Sequence, residues 1–357
     1  MDLPAPLAWL VDDAGIAAGP DRFLADLGSR LLDDGLPLAG GALTFAVRHP
    51  IIARRTWLWR AETGQVIEAL GFSGDSPETW REWLAELGPL QEDATGVARG
   101  GPLLGWAGNR PFSLAEANCL RQTARFASTP LALLAAQATQ AAQLEAYLGR
   151  RSAARVQAGV LRRGTGETIR AVLLSADLRD FTAMSEVTEP LAMIASLDAW
   201  FDRVAGAVHA FGGEVLKFIG DGVLAIFPVT GAPAEACEAA LRAVAAIRAG
   251  MAHLDATRQS QGLPPLPFGV ALHLGEILWG NIGAADRLDF TAIGPAVNLV
   301  SRLEGLCRPL GHSVLISGAV AAETTTPFVS LGEHSLRGIA VPCRVFTLPD
   351  ASEPRGC

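Results

Sequence analysis

The segment KFIGDGVLAIF, residues 217–227, constrains the chain more than any other stretch. Apolar residues on both sides of a Gly-Asp-Gly turn read as a tight β-hairpin built into a core. Into this run the chain places Lys217 and Asp221, charges that are costly to bury without a partner. Lys217 is also the only lysine, so 28 of the 29 basic residues are arginine. A surface ammonium is thus replaceable in this composition. Keeping a compact charge with three rotatable donors here points to a task that a planar guanidinium cannot do. Chance is the bland alternative, and it would rarely put the single Lys at this one position.

The elements around the hairpin alternate. TIRAVLLSADL (168–178) reads as a buried strand ending at Asp177, and a helix is expected from about Pro190 to His209. Leu191, Ile194, Leu197, Phe201, Val204 and Val208 form its apolar stripe. After the hairpin come a helix from about Pro233 to Arg258, strands in 267–283 and 287–294, and a helix over 295–307. The order β-α-β-β-α-β is that of a ferredoxin-like palm, so residues 166–350 are expected to form an α+β domain.

Residues 1–128 read as a separate α+β domain. Strands are expected in GGALTFAVRHP (40–50) and RRTWLWR (54–60), a helix in 76–87 and a hairpin in 96–108. Ser113 and Glu116 stand at capping-box spacing, so a helix should begin there. Residues 129–160 have helical composition with little to stop a helix before RRGTGE (162–167), which predicts a connecting helix within 129–165. Trp57, Trp59, Trp80, Trp83 and Trp106 suit either a ligand pocket or a core. His49 is more simply structural than a haem ligand.

Composition narrows the function classes. A net charge of −8 argues against general nucleic-acid binding but not against a nucleotide held by a local cluster of charge. No apolar run is long enough for a membrane helix, and the N-terminus lacks a signal-peptide pattern, so a soluble cytoplasmic protein is expected. Cys119, Cys237, Cys307, Cys343 and Cys357 are odd in number and contain no Cys-x-x-Cys, which predicts buried thiols.

Asp177 and Asp221, on neighbouring elements, suit a pair of Mg²⁺ ions that share phosphate oxygens with a substrate. Either one alone could as well cap a turn. Asn298 and Arg302 are four apart on one helix face, an amide and a guanidinium fork that together suit a phosphorylated ligand. His273 and Glu276 are assigned to structure or surface.

These residues carry a family resemblance. SADLRDFTAMSE (175–186), KFIGDGVLAIF (217–227) and DFTAIGPAVNLVSRLE (289–304) resemble the three signature blocks of class III nucleotidyl cyclases, and LRGIAVPCRVFTL (336–348) is similar to the family's end. The resemblance covers about residues 165–348. It implies that Asp177 and Asp221, with the backbone carbonyl of Leu178, hold two Mg²⁺ or Mn²⁺ ions per active site. Phe181 and Thr182 would meet the phosphates, Lys217 would read the purine, Asn298 would orient the ribose and Arg302 would stabilise the transition state. Arg337 would contact the pyrophosphate.

Thr291 stands where many members carry Asp. With Lys217 it resembles the class IIIb pair, found in ATP-using enzymes similar to the bicarbonate-responsive ones. Asp289, two residues earlier, is a competing neighbour for the base. The implied reaction is conversion of ATP to cyclic AMP and pyrophosphate by a homodimer with shared sites. The alternatives are a guanylate cyclase or a catalytically silent regulatory module, although no expected site residue is missing. FGGEVLKF (211–218) also resembles the GGDEF turn of diguanylate cyclases, but Val215 stands where a second acid belongs. By element order residues 1–128 resemble a GAF-type sensor, open to an unknown small-molecule effector, or else a dimerisation platform.

Overall fold

The computed structural model describes residues 3–14, 19–72, 79–94, 101–160 and 162–349. The chain divides into two compact units, Met1–Tyr147 and Leu148–Cys357.

The first unit contains α1 (Ala5–Asp12), α2 (Pro20–Asp33), β1 (Leu38–Ala46), β2 (Ile52–Arg60), β3 (Val66–Phe72), α3 (Thr79–Leu87), β4 (Leu90–Ala94), β5 (Leu103–Gly108), α4 (Leu114–Phe126) and α5 (Ser128–Leu148). Its sheet runs β3-β2-β1-β5-β4, antiparallel throughout. Strand alternation sends Leu43, Phe45, Trp57, Trp59, Leu104 and Trp106 to one face. There they meet the apolar stripe of α2, in which Phe23, Leu24, Leu27 and Leu31 are fully buried. Trp80 and Leu84 of α3 cover Ala42 and Ala107 on the other face. The tryptophans therefore serve as core, with Trp59 and Trp106 meeting edge to face at 6.3 Å. His49 Nδ1 accepts the N–H groups of Ile51 and Ile52 at 3.1 Å each, closing the turn into β2.

Helices α1 and α2 and strand β3 add to the elements expected from sequence. The helix expected over 76–87 occurs as α3, with 76–78 outside the described residues. Of the hairpin expected over 96–108, residues 96–100 also lie outside them, and β5 pairs instead with β4. The capping box forms as expected: Glu116 N donates to Ser113 Oγ at 3.3 Å and Ser113 N to Glu116 Oε2 at 2.7 Å.

The helix expected across 129–160 is two helices, α5 and α6 (Arg150–Gln157). They part at Gly149, whose φ of +79° lies in the left-handed region that only glycine adopts at no steric cost. Leu131, Leu134, Ala138 and Ala142 of α5 belong to the first unit's core. Helix α6 belongs to the second unit. Gly149 brings no capping side chain, and Glu214 supplies the acceptor from a distant strand: Ser152 N and Oγ donate to Glu214 Oε1 at 3.3 and 3.4 Å. Burial raises the Glu214 pKa above the ordinary carboxylate value. Arg155 pairs with Glu167 and lies over the Trp279 ring, and Asn281 Nδ2 donates to Val160 O at 2.6 Å.

The second unit continues with β6 (Gly166–Leu178), α7 (Phe181–Val187), α8 (Pro190–Ala210), β7 (Glu214–Ile219), β8 (Gly222–Pro228), α9 (Pro233–Ser260), β9 (Phe268–Gly283), β10 (Leu288–Ile293) and α10 (Pro295–Glu304). It closes with α11 (Cys307–Leu310), β11 (Val314–Ser317), α12 (Gly318–Ala321), β12 (Val329–His334) and β13 (Cys343–Thr347). The sheet order is β12-β13-β11-β9-β6-β8-β7, with β10 paired to β9. β9 and β11 run parallel, and β6 lies antiparallel to both β8 and β9.

The mixed α+β fold expected from sequence is therefore present. β6 is buried on both faces because Val172, Leu174, Ala176 and Leu178 meet α8 and α9, while Ala171 and Leu173 share a core with α10. On α8 the buried face is Met193, Ser196, Trp200, Val204, Ala207 and Val208. Leu191 and Ile194, expected in the stripe, are 73% and 52% exposed. The helix is rotated so that Trp200, Val204 and Val208 enter the core and those two residues face outward.

Cys119, Cys237, Cys307 and Cys343 are free thiols; burial pushes Cys237 and Cys307 up to about 12. Cys357 lies outside the described residues. Among the described residues no helix is long and apolar enough to cross a membrane.

His273, on β9, is hydrogen-bonded through Nδ1 to Ser317 Oγ at 3.0 Å, and burial lowers its pKa to about 4. The unfolded chain then binds more protons than the folded one between the free-imidazole value and about 4. Stability is thus complete above that window and falls as the pH drops through it. We expect His273→Gln, which cannot titrate, to lose about 2 kcal/mol less than the wild type between pH 7.5 and 5. Urea titrations at both pH values measure the difference.

Candidate active site

The site is built where two chain segments end side by side. β6 finishes in Asp177 and Leu178, and β7 turns into β8 through Gly220 and Asp221. Gly220 supplies the positive φ, +63°, that this two-residue turn needs. Asp221 is fixed from two sides: Leu178 N donates to its Oδ2 at 3.2 Å, and Trp200 Nε1 donates to its backbone carbonyl at 2.8 Å. Asp177 is less well held. Its Oδ1 is buried without a hydrogen-bond partner among the described residues. Burial foremost, then the hydrogen bond and charge of Asp221 and the charge of Glu304, push the Asp177 carboxyl well above the usual carboxylate range.

Asp177, Leu178, Phe181, Thr182 and Asp221 line one cavity of about 430 Å³, together with Asp180, Ala183, Glu186 and Arg308. A methyl group on Gly222 would sit 3.1 Å from Ile219 O and 3.5 Å from Asp177 Oδ1, so a side chain there would crowd the turn beside that oxygen. An orphaned carboxylate oxygen and a second acid beside it, both on the wall of one cavity, fit a hard divalent cation with retained waters. No cluster of three or more acidic, His or Cys ligands occurs among the described residues. A cation here would therefore rely on two carboxylates, a carbonyl and its own waters or substrate oxygens.

The other expected residues lie on the same unit but do not line that cavity. Lys217, on β7, pairs with Asp289 Oδ2 at 2.5 Å. Its partner in the structure is therefore Asp289 and not Thr291. The two alternate onto one face of β10, and the ammonium takes the carboxylate over the hydroxyl because a charged acceptor binds it more strongly. Thr291 is 5% exposed, and its Oγ1 has no hydrogen-bond partner among the described residues. Asn298 and Arg302 are exposed on α10, and Arg337 is exposed beside buried Leu336.

Four residues of the site carry little sequence signal. Glu304 stands two places after Arg302, off that helix face, and only the packing of α10 brings its charge to Asp177 and Asp221. Burial raises the Glu304 pKa and Arg179 pulls it back. Arg179 Nη2 donates to His312 O at 2.6 Å. Arg308 Nη1 lies 2.8 Å from Asp180 Oδ1.

Comparison with known proteins gives the family. The model of the adenylate and guanylate cyclase catalytic domain matches residues 167–346, and the chain belongs to that family. Adenylate cyclase 1 of Rhizobium meliloti (strain 1021) is 36% identical over 164 residues, 45% of this chain and 25% of that protein. An adenylate cyclase of Anabaena cylindrica is 32% identical over 168 residues, 46% of this chain and 32% of that protein. The chain thus spans about a quarter to a third of these relatives' length. A solved bacterial light-regulated adenylyl cyclase shares the fold at a TM-score of 0.54 and 21% identity, over 72% of this chain and 85% of that one.

Asp177→Asn removes the cost of burying a carboxyl that must either carry an unsupported charge or take up a proton, and keeps the side chain's shape. We expect the metal-free variant to melt a few degrees, on the order of 3 °C, above the wild type. The rise in melting temperature that Mn²⁺ gives the wild type should be absent. Thermal denaturation with and without Mn²⁺ measures both effects.

Proposed function

We propose that this protein is an adenylate cyclase that converts ATP to 3′,5′-cyclic AMP and pyrophosphate as a homodimer with shared active sites. The observation that carries the reading is the division of the site. The acids occupy one cavity, whereas Lys217, Asn298 and Arg302 lie outside it on the same unit. A head-to-tail second copy completes each half. Phe218 and Ile219, next to Lys217, are 51% and 62% exposed, an apolar surface suited to cover by such a copy.

Two divalent ions held by Asp177, Asp221 and the Leu178 carbonyl would supply Lewis acidity to the ribose 3′-hydroxyl and the α-phosphate. The chain's own residues bind and orient the substrate. The backbone of Phe181 and Thr182 lies along the triphosphate. Lys217 leaves Asp289 to donate to a purine ring nitrogen, and the Thr291 hydroxyl accepts from the exocyclic amine, which selects adenine. Asn298 holds the ribose so that the 3′-oxygen faces the α-phosphorus. Arg302 stabilises the charge that builds up on the phosphoryl oxygens, and Arg337 takes the departing pyrophosphate. Support for ATP comes from the relatives named adenylate cyclases in two bacteria. A catalytic domain in the cytoplasm agrees with ATP as its substrate.

Residues 1–128 act in this reading as a GAF-like sensor or dimerisation domain, and residues 129–165 as the connection that relays its state. Support comes from the chain path: α5 completes the first unit's core, and α6, after Gly149, is fastened to β7 by Glu214.

The purified chain should form cyclic AMP from ATP with Mg²⁺ or Mn²⁺, and cyclic GMP from GTP at a far lower rate. Asp177→Ala and Arg302→Ala should each lose activity by about a hundredfold or more. Mixing the two inactive variants should restore about a quarter of wild-type activity, because half of the dimers are mixed and each has one intact site. An active Asp177→Ala protein, or no recovery on mixing, is incompatible with the shared two-acid site.

A further inference from the structure

The cavity of Asp177 and Asp221 is lined by four acids and one cation, Arg308 of α11. Among the described residues Arg308 is paired only with Asp180, and the two side chains are 74% and 57% exposed. An exposed ion pair of this kind stabilises a fold very little. Yet Asp180 is the one non-glycine residue with a positive φ, +58°, among the described residues. That conformation is unfavourable for a side chain-bearing residue. Nor does it serve the helix that follows, since Asp180 stands at the N-cap of α7 and its side chain accepts no capping hydrogen bond. The backbone of Asp180 is bent, and the carboxylate goes to Arg308.

We propose that Arg308 binds the β,γ-phosphates of the nucleotide in the subunit that supplies Asp177 and Asp221, and that Asp180 holds it in reserve until they arrive. The proposal rests on the cyclase reading given above. With its four acids the cavity repels a polyphosphate, and bound divalent ions offset that charge chiefly at the two metal-binding aspartates. Arg337, which the cyclase reading gives to the departing pyrophosphate, does not line this cavity, so Arg308 is the cation on the cavity wall within reach of the far end of the triphosphate. A guanidinium fork matches phosphate oxygens, and exchanging one carboxylate for a multiply charged phosphate favours the bound state. The cheap surface pair allows the exchange. It also places a cation where pyrophosphate charge grows as the bond to the α-phosphorus breaks.

The test reads binding without turnover. Inorganic pyrophosphate with Mg²⁺ is titrated into the full chain by calorimetry, and the KM for ATP is measured alongside. Arg308→Ala should weaken pyrophosphate about tenfold and raise the KM more than it lowers kcat. Arg308→Lys should recover part of the loss. Asp180→Asn, which tolerates the left-handed backbone, frees Arg308 and should tighten pyrophosphate by about threefold. A purely structural pair would move the Arg308→Ala and Asp180→Asn proteins in the same direction and lower both melting temperatures. Affinity of Arg308→Ala within about twofold of wild type, or weakening by Asp180→Asn, overturns the proposal while leaving an active cyclase in place. A wild-type chain that neither binds magnesium pyrophosphate nor cyclises ATP overturns the functional reading and this proposal with it.

Discussion

One electrostatic conflict organises the second unit: two carboxylates meet at the ends of a strand and a hairpin that are otherwise apolar. A buried carboxylate without a partner is among the most unfavourable groups a fold can hold. Here Asp221 is supported by the Leu178 N–H and, at its backbone carbonyl, by the Trp200 indole, while Asp177 Oδ1 has no partner among the described residues. The surrounding fold does not relieve the conflict. Glu304 adds a third negative charge, and glycine at 222 brings no side chain that could neutralise it. Such a site is stable only because the rest of the sheet is well packed, and a bound divalent cation would relieve it.

The packing explains how the conflict is held in place. β6 pairs over its whole length with β9 and along its inner part with β8, so its last residues cannot drift apart from the hairpin turn. Trp200 joins the helix layer to the same turn, with its ring tilted against Phe268 at 5.6 Å. On the opposite face α10 buries Ala296, Val300 and Leu303 and so exposes Asn298 and Arg302. The same helix ends in Glu304, which senses the acids of its own subunit. One helix therefore presents Asn298 and Arg302 along its exposed side and carries Glu304, which meets the acidic pair, at its end.

Much of this architecture is legible from the residues. The turn at 220–221, the two acids and the alternation of strands and helices follow from apolar periodicity and from charges set in apolar runs. Lys217 is legible because it is the only lysine. What escapes is long-range. Asp289 and Thr291 are equally placed on their strand face, and only the approach of β7 decides that the ammonium meets the carboxylate. Glu214 reads as an ordinary strand residue until helix α6 arrives on it from the other side of the sequence. The stripe of α8 is off by one step of rotation at its start, because hydrophobicity alone cannot distinguish a core face from an apolar surface. The break at Gly149 has the same origin: glycine inside a helical run is tolerated, and the cap that ends the tolerance lies in residue 214.

That cap has a mechanical consequence for the hairpin. Glu214, Lys217 and Asp221 lie within eight residues of one β-ribbon, so whatever moves the first strand end moves the Lys217 ammonium and the Asp221 carboxylate together. A bulge between Val215 and Lys217 breaks the register of β7 with β8 and is the point where such movement can be absorbed or redirected. Helix α6 holds the strand on the far side of that bulge through a buried carboxylate rather than through apolar contact alone. A hydrogen-bonded charge in the interior has a narrow set of acceptable positions, narrower than that of a leucine, because displacement leaves it unsatisfied. The link between the preceding helix and the site is therefore positional and stiff. The bulge, and not the strand, sets how much of it reaches Lys217.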